Sequence, residues 1–315
     1  MLLSLIGTDE FHLLFSIEGK GSDEIRGVAM LEDSIYVLKR RSITVYDSKN
    51  PYAKKYRKVV GNDFWDIAAN ISDLCLYVTD KHRECVWSVG IDLRRKKWLD
   101  GIGSPYTLSI AKDGAVLILN NKDQSLDIYN KDGLHLLPKI RFSSKRILHL
   151  KHAVKLSYSR GNETYLVCHG HSMNQAAVDD YDKDNEFLSH EVFVVSSNGD
   201  IIQTFGGKFG SKSNQLNLPT HMVLYRDDTL LVADCNNNRV LRLDHQLKLQ
   251  SIPLRKVVRS IKAPFRLCYS ENTGQIIVAN LNSVDVFMHD DFLRFQCEDE
   301  QSSSDSAANT GKNRE

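Results

Sequence analysis

The sequence predicts an all-β fold: a six-bladed β-propeller of four-stranded antiparallel blades, closed by a terminal strand. Two observations carry this expectation. Short runs of β-branched and aromatic residues recur between Gly, Asn and Asp, while long helical periodicity is nearly absent. The runs also repeat at a near-constant step. Ile35–Leu38, Leu76–Asp80, Val116–Asn120, Tyr165–His169, Leu230–Asp234 and Ile276–Asn280 align at residues 37, 78, 118, 167, 232 and 278. The steps are 41, 40, 49, 65 and 46 residues, and periods of about 40–50 residues with several strands each are those of propeller blades.

Each run has the same neighbours, read here in chain order. Upstream lie Gly27–Met30, Asp66–Ala69, Tyr106–Ile110, His152–Val154, His221–Leu224 and Phe265–Leu267. Downstream lie Ile43–Tyr46, Val86–Val89, Leu126–Tyr129, Val240–Leu243 and Val284–Phe287. In the fourth copy an insertion at 168–190 delays the third strand to Val192–Val195. One such sheet cannot bury both its faces, whereas radial stacking buries them all and leaves short, protected edges. The expected organisation is therefore N-terminal strands in 1–24, a propeller in 25–297 and a disordered tail in 298–315. That tail is acidic, then rich in Ser and Asn, with too little apolar content to fold. His12–Ile17 reads as the strand that closes the ring, in competition with Phe292–Phe295 for the outer position of the sixth blade.

Composition bounds the function. A hydrophobic content of 42% supplies a sizeable core. Six cysteines without a C-x-x-C pair exclude the common zinc-finger spacings and point to a reducing, cytoplasmic setting. No run approaches the roughly 18 apolar residues of a spanning helix, and Met1–Ile6 is too short for a signal h-region, so no membrane contact is expected. A monomer is the expected state. The net charge of +1 hides an asymmetry: residues 1–160 carry 26 basic against 19 acidic residues, and 161–315 carry 15 against 21. A basic half permits a contact face for RNA or an acidic partner without demanding one.

The fifth copy carries a family resemblance. Phe205-Gly206-Gly207, Gly210, Gln215-Leu216, Leu218-Pro219, Leu231–Asp234 and Asn236–Val240 closely resemble an NHL repeat, with Cys235 where that family usually has Ser or Thr and Asn214 where it often has Gly. Pro105 and Pro264 echo the proline that opens such a blade. The resemblance implies an interaction module, similar to the C-terminal propeller of tripartite-motif (TRIM-NHL) proteins, which binds proteins or RNA in ubiquitin ligases. This chain has neither the Cys/His zinc array of a RING finger nor heptads, so the resemblance implies no ligase activity within it. Asp234 and the Asn-x-Asn-Arg stretch suit a loop that satisfies its own backbone groups.

Candidate contact residues follow from the loops after the second strands. Lys39-Arg40-Arg41 and Lys81-His82-Arg83 occupy equivalent loops, which emerge on one face of a propeller; Arg239 ends the loop of blade five, and Phe64-Trp65 leads into blade two from that side. Cations beside aromatics suit a protein partner or single-stranded RNA. Lys54–Lys58 and Arg94–Lys97 are expected between third and fourth strands, on the opposite face or rim. His152 and His221 begin inner strands and His169 ends a second strand. Their coarse location is similar to the zinc-holding channel histidines of peptidyl-hydroxyglycine amidating lyases, although the motif surrounding those residues is missing. His169-x-His171 and the acidic run Asp180-x-Asp182-x-Asp184 with Glu186 have metal-compatible spacing but read first as polar loop residues. No nucleophile elbow, phosphate loop or metalloprotease motif occurs, so no enzyme activity and no cofactor are expected.

Overall fold

The strands of the computed structural model follow the alternation of the sequence runs. It describes residues 11–18, 24–50, 54–59, 63–120, 122–142, 150–156, 163–170, 189–252, 254 and 261–290. The N-terminal strand is β1 (Phe11–Glu18). Blade 1 holds β2 (Ile25–Leu31), β3 (Ser34–Lys39), β4 (Ser42–Asp47) and β5 (Lys54–Val59). Blade 2 holds β6 (Asp66–Asn70), β7 (Cys75–Asp80), β8 (Cys85–Gly90) and β9 (Arg95–Leu99). Blade 3 holds β10 (Pro105–Ile110), β11 (Val116–Asn120), β12 (Ser125–Tyr129) and β13 (Ile140–Arg141). Blade 4 holds β14 (Leu150–Lys155), β15 (Thr164–His169), β16 (Ser189–Ser196) and β17 (Ile201–Lys208). Blade 5 holds β18 (Pro219–Leu224), β19 (Leu230–Asp234), β20 (Arg239–Leu243) and β21 (Leu249–Ser251). Blade 6 holds β22 (Arg266–Tyr269), β23 (Gln275–Ala279) and β24 (Ser283–His289), completed by β1 on its outer edge.

Closure by the N-terminal strand is thus as expected. β1 runs antiparallel to β24, from Phe11 opposite His289 to Glu18 opposite Ser283. Residues 292–295, the competing strand candidate, lie outside the described residues, as do 1–10, 171–188 of the insertion and the 298–315 tail. One expectation is corrected. Lys54, Lys55, Arg57 and Lys58, with Arg95, Lys96 and Lys97, do not lie between strands; they are outer strands β5 and β9. An outer strand needs only one paired edge, and lysines on the free edge oppose pairing with another sheet.

The core is divided among the seams. Phe64, fully buried, packs with Leu38 and Ile43 of blade 1 and Leu76 and Val78 of blade 2. Tyr165 and Phe193 of blade 4 meet Leu117 and Leu126 of blade 3. Phe11 joins Leu231 of blade 5 and Phe287 of blade 6, its ring edge-on to His289 at 5.0 Å. Two-sided burial explains why second strands run apolar without alternation, as in Leu230–Ala233 of β19.

The innermost strands carry a circle of polar residues. Pairing with the second strands puts Gly27, Asp66, Thr107, His152, His221 and Arg266 at equivalent positions, one per blade. Four of the side chains reach the next blade. Leu108 N donates to Asp66 Oδ2 (3.2 Å), Met222 N to His152 Nδ1 (3.4 Å) and Leu267 N to His221 Nδ1 (3.3 Å). Thr107 Oγ1 donates to Lys151 O at 2.8 Å. Arg266 Nε then crosses blade 1 to Asp66 Oδ1 at 3.0 Å, joining blade 6 to blade 2. Blade 1 supplies Gly27 here, where a Cβ would stand 2.8 Å from Ile67 Cγ2 and 3.2 Å from Asp66 Oδ1. The two imidazoles stack with centroids 3.6 Å apart. Burial, with Arg266 nearby, lowers the His152 pKa to about 3; burial, His152 and Arg266 hold His221 well below its ordinary value. Burial pushes Asp66 upward against the pull of Arg266 and the Leu108 N–H.

Two outcomes test this arrangement. Phe11→Ala should cost about 3–5 kcal/mol of unfolding free energy, read from denaturant midpoints; a loss below about 1 kcal/mol would mean that β1 does not hold the ring. Acid should also weaken the fold through His152. Below pH 6.5 the unfolded chain takes up a proton that the folded site refuses down to about pH 3. At pH 5 this removes about 2 kcal/mol, from about 1.5 units at 1.36 kcal/mol each. His152→Asn keeps an acceptor in the place of Nδ1 and should flatten the pH 7 to pH 5 slope by that amount. An unchanged slope would refute the assignment.

Candidate functional site

The face on which the inner strands begin, here the front face, contains the sequence-predicted basic loops. A repeated irregularity shapes its channel mouth. The pairing of first and second strands slips at the same place in four blades, between Ile25 and Gly27, Pro105 and Thr107, Leu150 and His152, and Pro219 and His221. The residues skipped are Arg26, Tyr106, Lys151 and Thr220. In the other two blades Trp65 N donates to Thr79 O (3.0 Å) and Phe265 N to Ala279 O (2.9 Å), so Trp65 and Phe265 hold the corresponding place just before the strand. A bulge re-aims its extra side chain, and this one recurs around the axis.

Cations and aromatics interleave at this mouth. Arg26 Cζ lies 4.3 Å from the Trp65 ring centroid and Lys81 Nζ 5.2 Å. Lys81 Nζ is also 6.0 Å from the Tyr106 centroid, and Lys151 Nζ reaches the same ring at 5.9 Å. Trp65 and Tyr106 are 5.4 Å apart. The ring quadrupole attracts each cation by about 0.5–2 kcal/mol. Arg26 also pairs with Glu24 at 3.0 Å. Lys81 and Lys151 make no ion pair among the described residues and keep part of their surface exposed.

The remaining candidates separate into free and committed groups. Arg41 and Arg83 are exposed, and Lys39 is half-buried at the end of β3. Arg40 forms a fork onto Asp63 (3.1 and 3.2 Å), and His82 approaches the same carboxylate at 3.3 Å. Burial pushes the Asp63 pKa upward, but Arg40, Arg26 and His82 outweigh it and hold the group below its ordinary value. Phe64 is not an exposed contact; it is core, because it fills the seam between blades 1 and 2. Arg239 is a brace. Its guanidinium donates to Asp234 Oδ2 (2.7 Å) and to the carbonyls of Ser211 (3.0 Å), Lys212 (3.1 Å) and Gln215 (2.6 Å). Asp234 also accepts from Asn217 N and Asn237 Nδ2, both at 2.7 Å, and Asn238 takes a left-handed φ of 51°. These residues thus satisfy their own loops, as their chemistry suggests.

The histidines do not form one site. His169 pairs with Glu191 at 3.3 Å, in the second-strand position that Asp234 holds in blade 5. His152 and His221 do meet, and with Asp66 they offer ligand atoms within 4.8 Å of one another. Their hydrogen bonds do not suit zinc. Both Nδ1 atoms accept from backbone N–H groups, which leaves the proton of each neutral ring on Nε2. A metal at Nε2 requires the proton on Nδ1, donated to an acceptor. Arg266 on Asp66 adds a fixed positive charge. His171, Asp180, Asp182, Asp184 and Glu186 lie outside the described residues.

At the back face the channel opens as a funnel of 490 Å³ that includes His152 and His221 in its lining. The next inner-strand residues on the same side of each blade, Ala29, Ala68, Ser109, Val154, Val223 and Cys268, all line it and all are small.

Sequence reasoning missed Arg26, Tyr106, Lys151, Asp66, Thr107 and Arg266. The signal was present in the inner runs, but aligning them requires knowing the bulges and the unequal turns to the second strands.

No family model and no curated protein matches the chain. Solved structures do. A hydrazine synthase chain of Kuenenia stuttgartiensis superposes with a TM-score of 0.57 at 13% identity, over 83% of this chain and 94% of that one. Virginiamycin B lyase from Staphylococcus aureus gives 0.57 at 10% identity, over 89% and 99%. The WD40 β-propeller domain of Doa1 gives 0.56 at 13%, over 88% and 96%. At these identities the likeness is one of fold: the chain is a six-bladed β-propeller, and the structures it resembles include enzymes and a WD40 β-propeller domain alike.

Proposed function

We propose that this propeller is a non-catalytic interaction module that holds an acidic segment of a protein partner at its front-face channel mouth. The observation that carries the reading is the pair Lys81 and Lys151, two ammonium groups held over Trp65 and Tyr106 without a carboxylate partner among the described residues. Arg41 and Arg83, exposed on loops of the same face, extend the positive surface. Such an arrangement steers an anionic partner inward and leaves the ammonium hydrogens for it to accept. The NHL-like fifth blade supports the same reading, since the propellers it resembles bind proteins, and family context links such modules to ubiquitin ligation.

Single-stranded RNA is the second reading, favoured by the same mixture of cations and rings. It ranks lower because Arg26, Lys81 and Tyr106 surround Trp65, where a base would need an open ring face to stack. The lyase-like reading is weaker still, since the donor directions at His152 and His221 oppose zinc.

Fluorescence anisotropy with a labelled deca-glutamate peptide and a labelled deca-uridylate distinguishes these readings. The peptide should bind saturably and weaken with salt, and the Lys81→Ala/Lys151→Ala pair should lose about tenfold in affinity. Tighter binding of the uridylate would instead select the RNA reading. Peptide affinity unchanged in the double variant would overturn the site.

A further inference from the structure

We infer that the back-face funnel is a second binding site, for a small, uncharged, largely apolar molecule that carries a carbonyl-type hydrogen-bond acceptor. The inference is independent of the protein-binding reading, because the polar circle lies between the funnel and the front mouth.

The argument begins with size. Six small side chains, Ala29, Ala68, Ser109, Val154, Val223 and Cys268, come one from each blade at the level below the polar circle. Large residues here would close the axis. Instead the channel widens to 490 Å³, within the roughly 300–1,000 Å³ of small-molecule sites. The wall is mostly apolar; Ser109, its one hydroxyl at this level, already donates to Ala153 O at 2.6 Å.

The polar end is set by His221. It is buried except for 7% of its surface, and it lines the funnel. Its Nδ1 accepts from Leu267 N, so a neutral ring carries its proton on Nε2. That Nε2–H has no hydrogen-bond partner among the described residues, and neither has the buried Nε2 of the stacked His152. The funnel therefore ends on two unmatched donors of fixed tautomer, of which His221 holds the less buried, and an unmatched donor inside a partly closed apolar wall selects a ligand with an acceptor.

Charge decides which acceptor. Asp66 and Arg266 neutralise one another behind the histidines, which themselves stay uncharged. At the rim, Lys112 pairs with Glu271 at 2.8 Å, and Lys155 with Asp113 at 2.8 Å and Glu163 at 2.6 Å. Each rim cation is paired, and the carboxylates of Asp113 and Glu163 that hold Lys155 lie outside the funnel's lining, so a carboxylate or an ammonium inside the cavity would be desolvated without an ionic partner. A ketone, ester or amide oxygen needs only the donor that His221 holds out.

The test uses three probes of equal length, 2-octanone, octanoate and n-octylamine, titrated into the intact protein and followed by imidazole nitrogen NMR and calorimetry. The ketone should bind saturably, shift the His221 Nε2 resonance and outcompete both ions. Ala68→Leu should abolish that binding by filling the wall. His221→Asn retains an acceptor for Leu267 N but loses the distal donor, and should weaken the ketone roughly fivefold. Equal binding of all three probes, no saturable ketone binding, or a ketone affinity indifferent to both substitutions would overturn the assignment. The probe ranking needs no variant, so the proposal stays refutable even if a substitution unfolds the protein.

Discussion

The open inner edge of each blade is the constraint on which this molecule depends. A first strand is hydrogen-bonded on one side only; the other side faces the axis, where its N–H and C=O groups have neither a sheet partner nor bulk water. Leaving such groups unmatched costs about 1–3 kcal/mol each. The polar circle resolves this. Asp66, Thr107, His152 and His221 each take or give one backbone hydrogen bond on the following blade. Arg266 completes the circuit by spanning the blade that offers only Gly27. The ring of blades is therefore closed twice, at the perimeter by the β1–β24 pairing and at the axis by side chains.

The same constraint accounts for the protonation states. A staple that accepts from a backbone N–H through Nδ1 works as a neutral imidazole, and desolvation keeps it neutral. Arg266 and Asp66 are the exception, a charged pair in a dry place. Such a pair contributes little net stability, but either member alone would be a large liability. Gly27 fits that logic, since a side chain there would crowd Ile67 and the Asp66 Oδ1 that Arg266 holds. The cations of the front face behave differently. Arg239 and Arg40 are consumed by their own loops, whereas Lys81 and Lys151 rest on aromatic faces that neutralise no charge. Basicity by itself does not distinguish these roles; the identity of the nearest acceptor does.

How much of this was legible follows from what each residue must satisfy locally. Second strands such as Leu76–Asp80 and Leu230–Asp234 are buried on both faces, so their apolar runs announce themselves. Closure was legible because His12–Ile17 is a strand-like run standing ahead of the first repeat. The outer strands were not, since half-solvated strands such as Lys54–Val59 keep no apolar run and read as loops. Phe64 looked like a surface aromatic beside Trp65, yet the two face opposite ways: one into the seam, the other toward the mouth. The polar circle and the mouth were hidden for another reason. Turns between first and second strands differ in length, and the bulges add a residue in four blades but not in two, so a column of equivalent residues becomes visible only once pairing is known.

That last point bears on why the channel has two unlike ends. A repeat copied six times begins with six identical side chains around its axis, and an identical ring can only repeat one chemistry. Here the ring reads Gly, Asp, Thr, His, His, Arg. Four of these six residues perform the same backbone service, so they do not require an external ligand to explain them. The levels on either side are under no such duty. Above, the bulges turn Arg26, Tyr106 and Lys151 outward beside Trp65, where they bond to no neighbouring inner strand through their side chains. Below, the small residues leave volume that packing would otherwise fill. Structure is secured at the middle level, and the two flanking levels depart from what packing alone would choose; that departure is the physical ground for assigning binding to both ends of the channel.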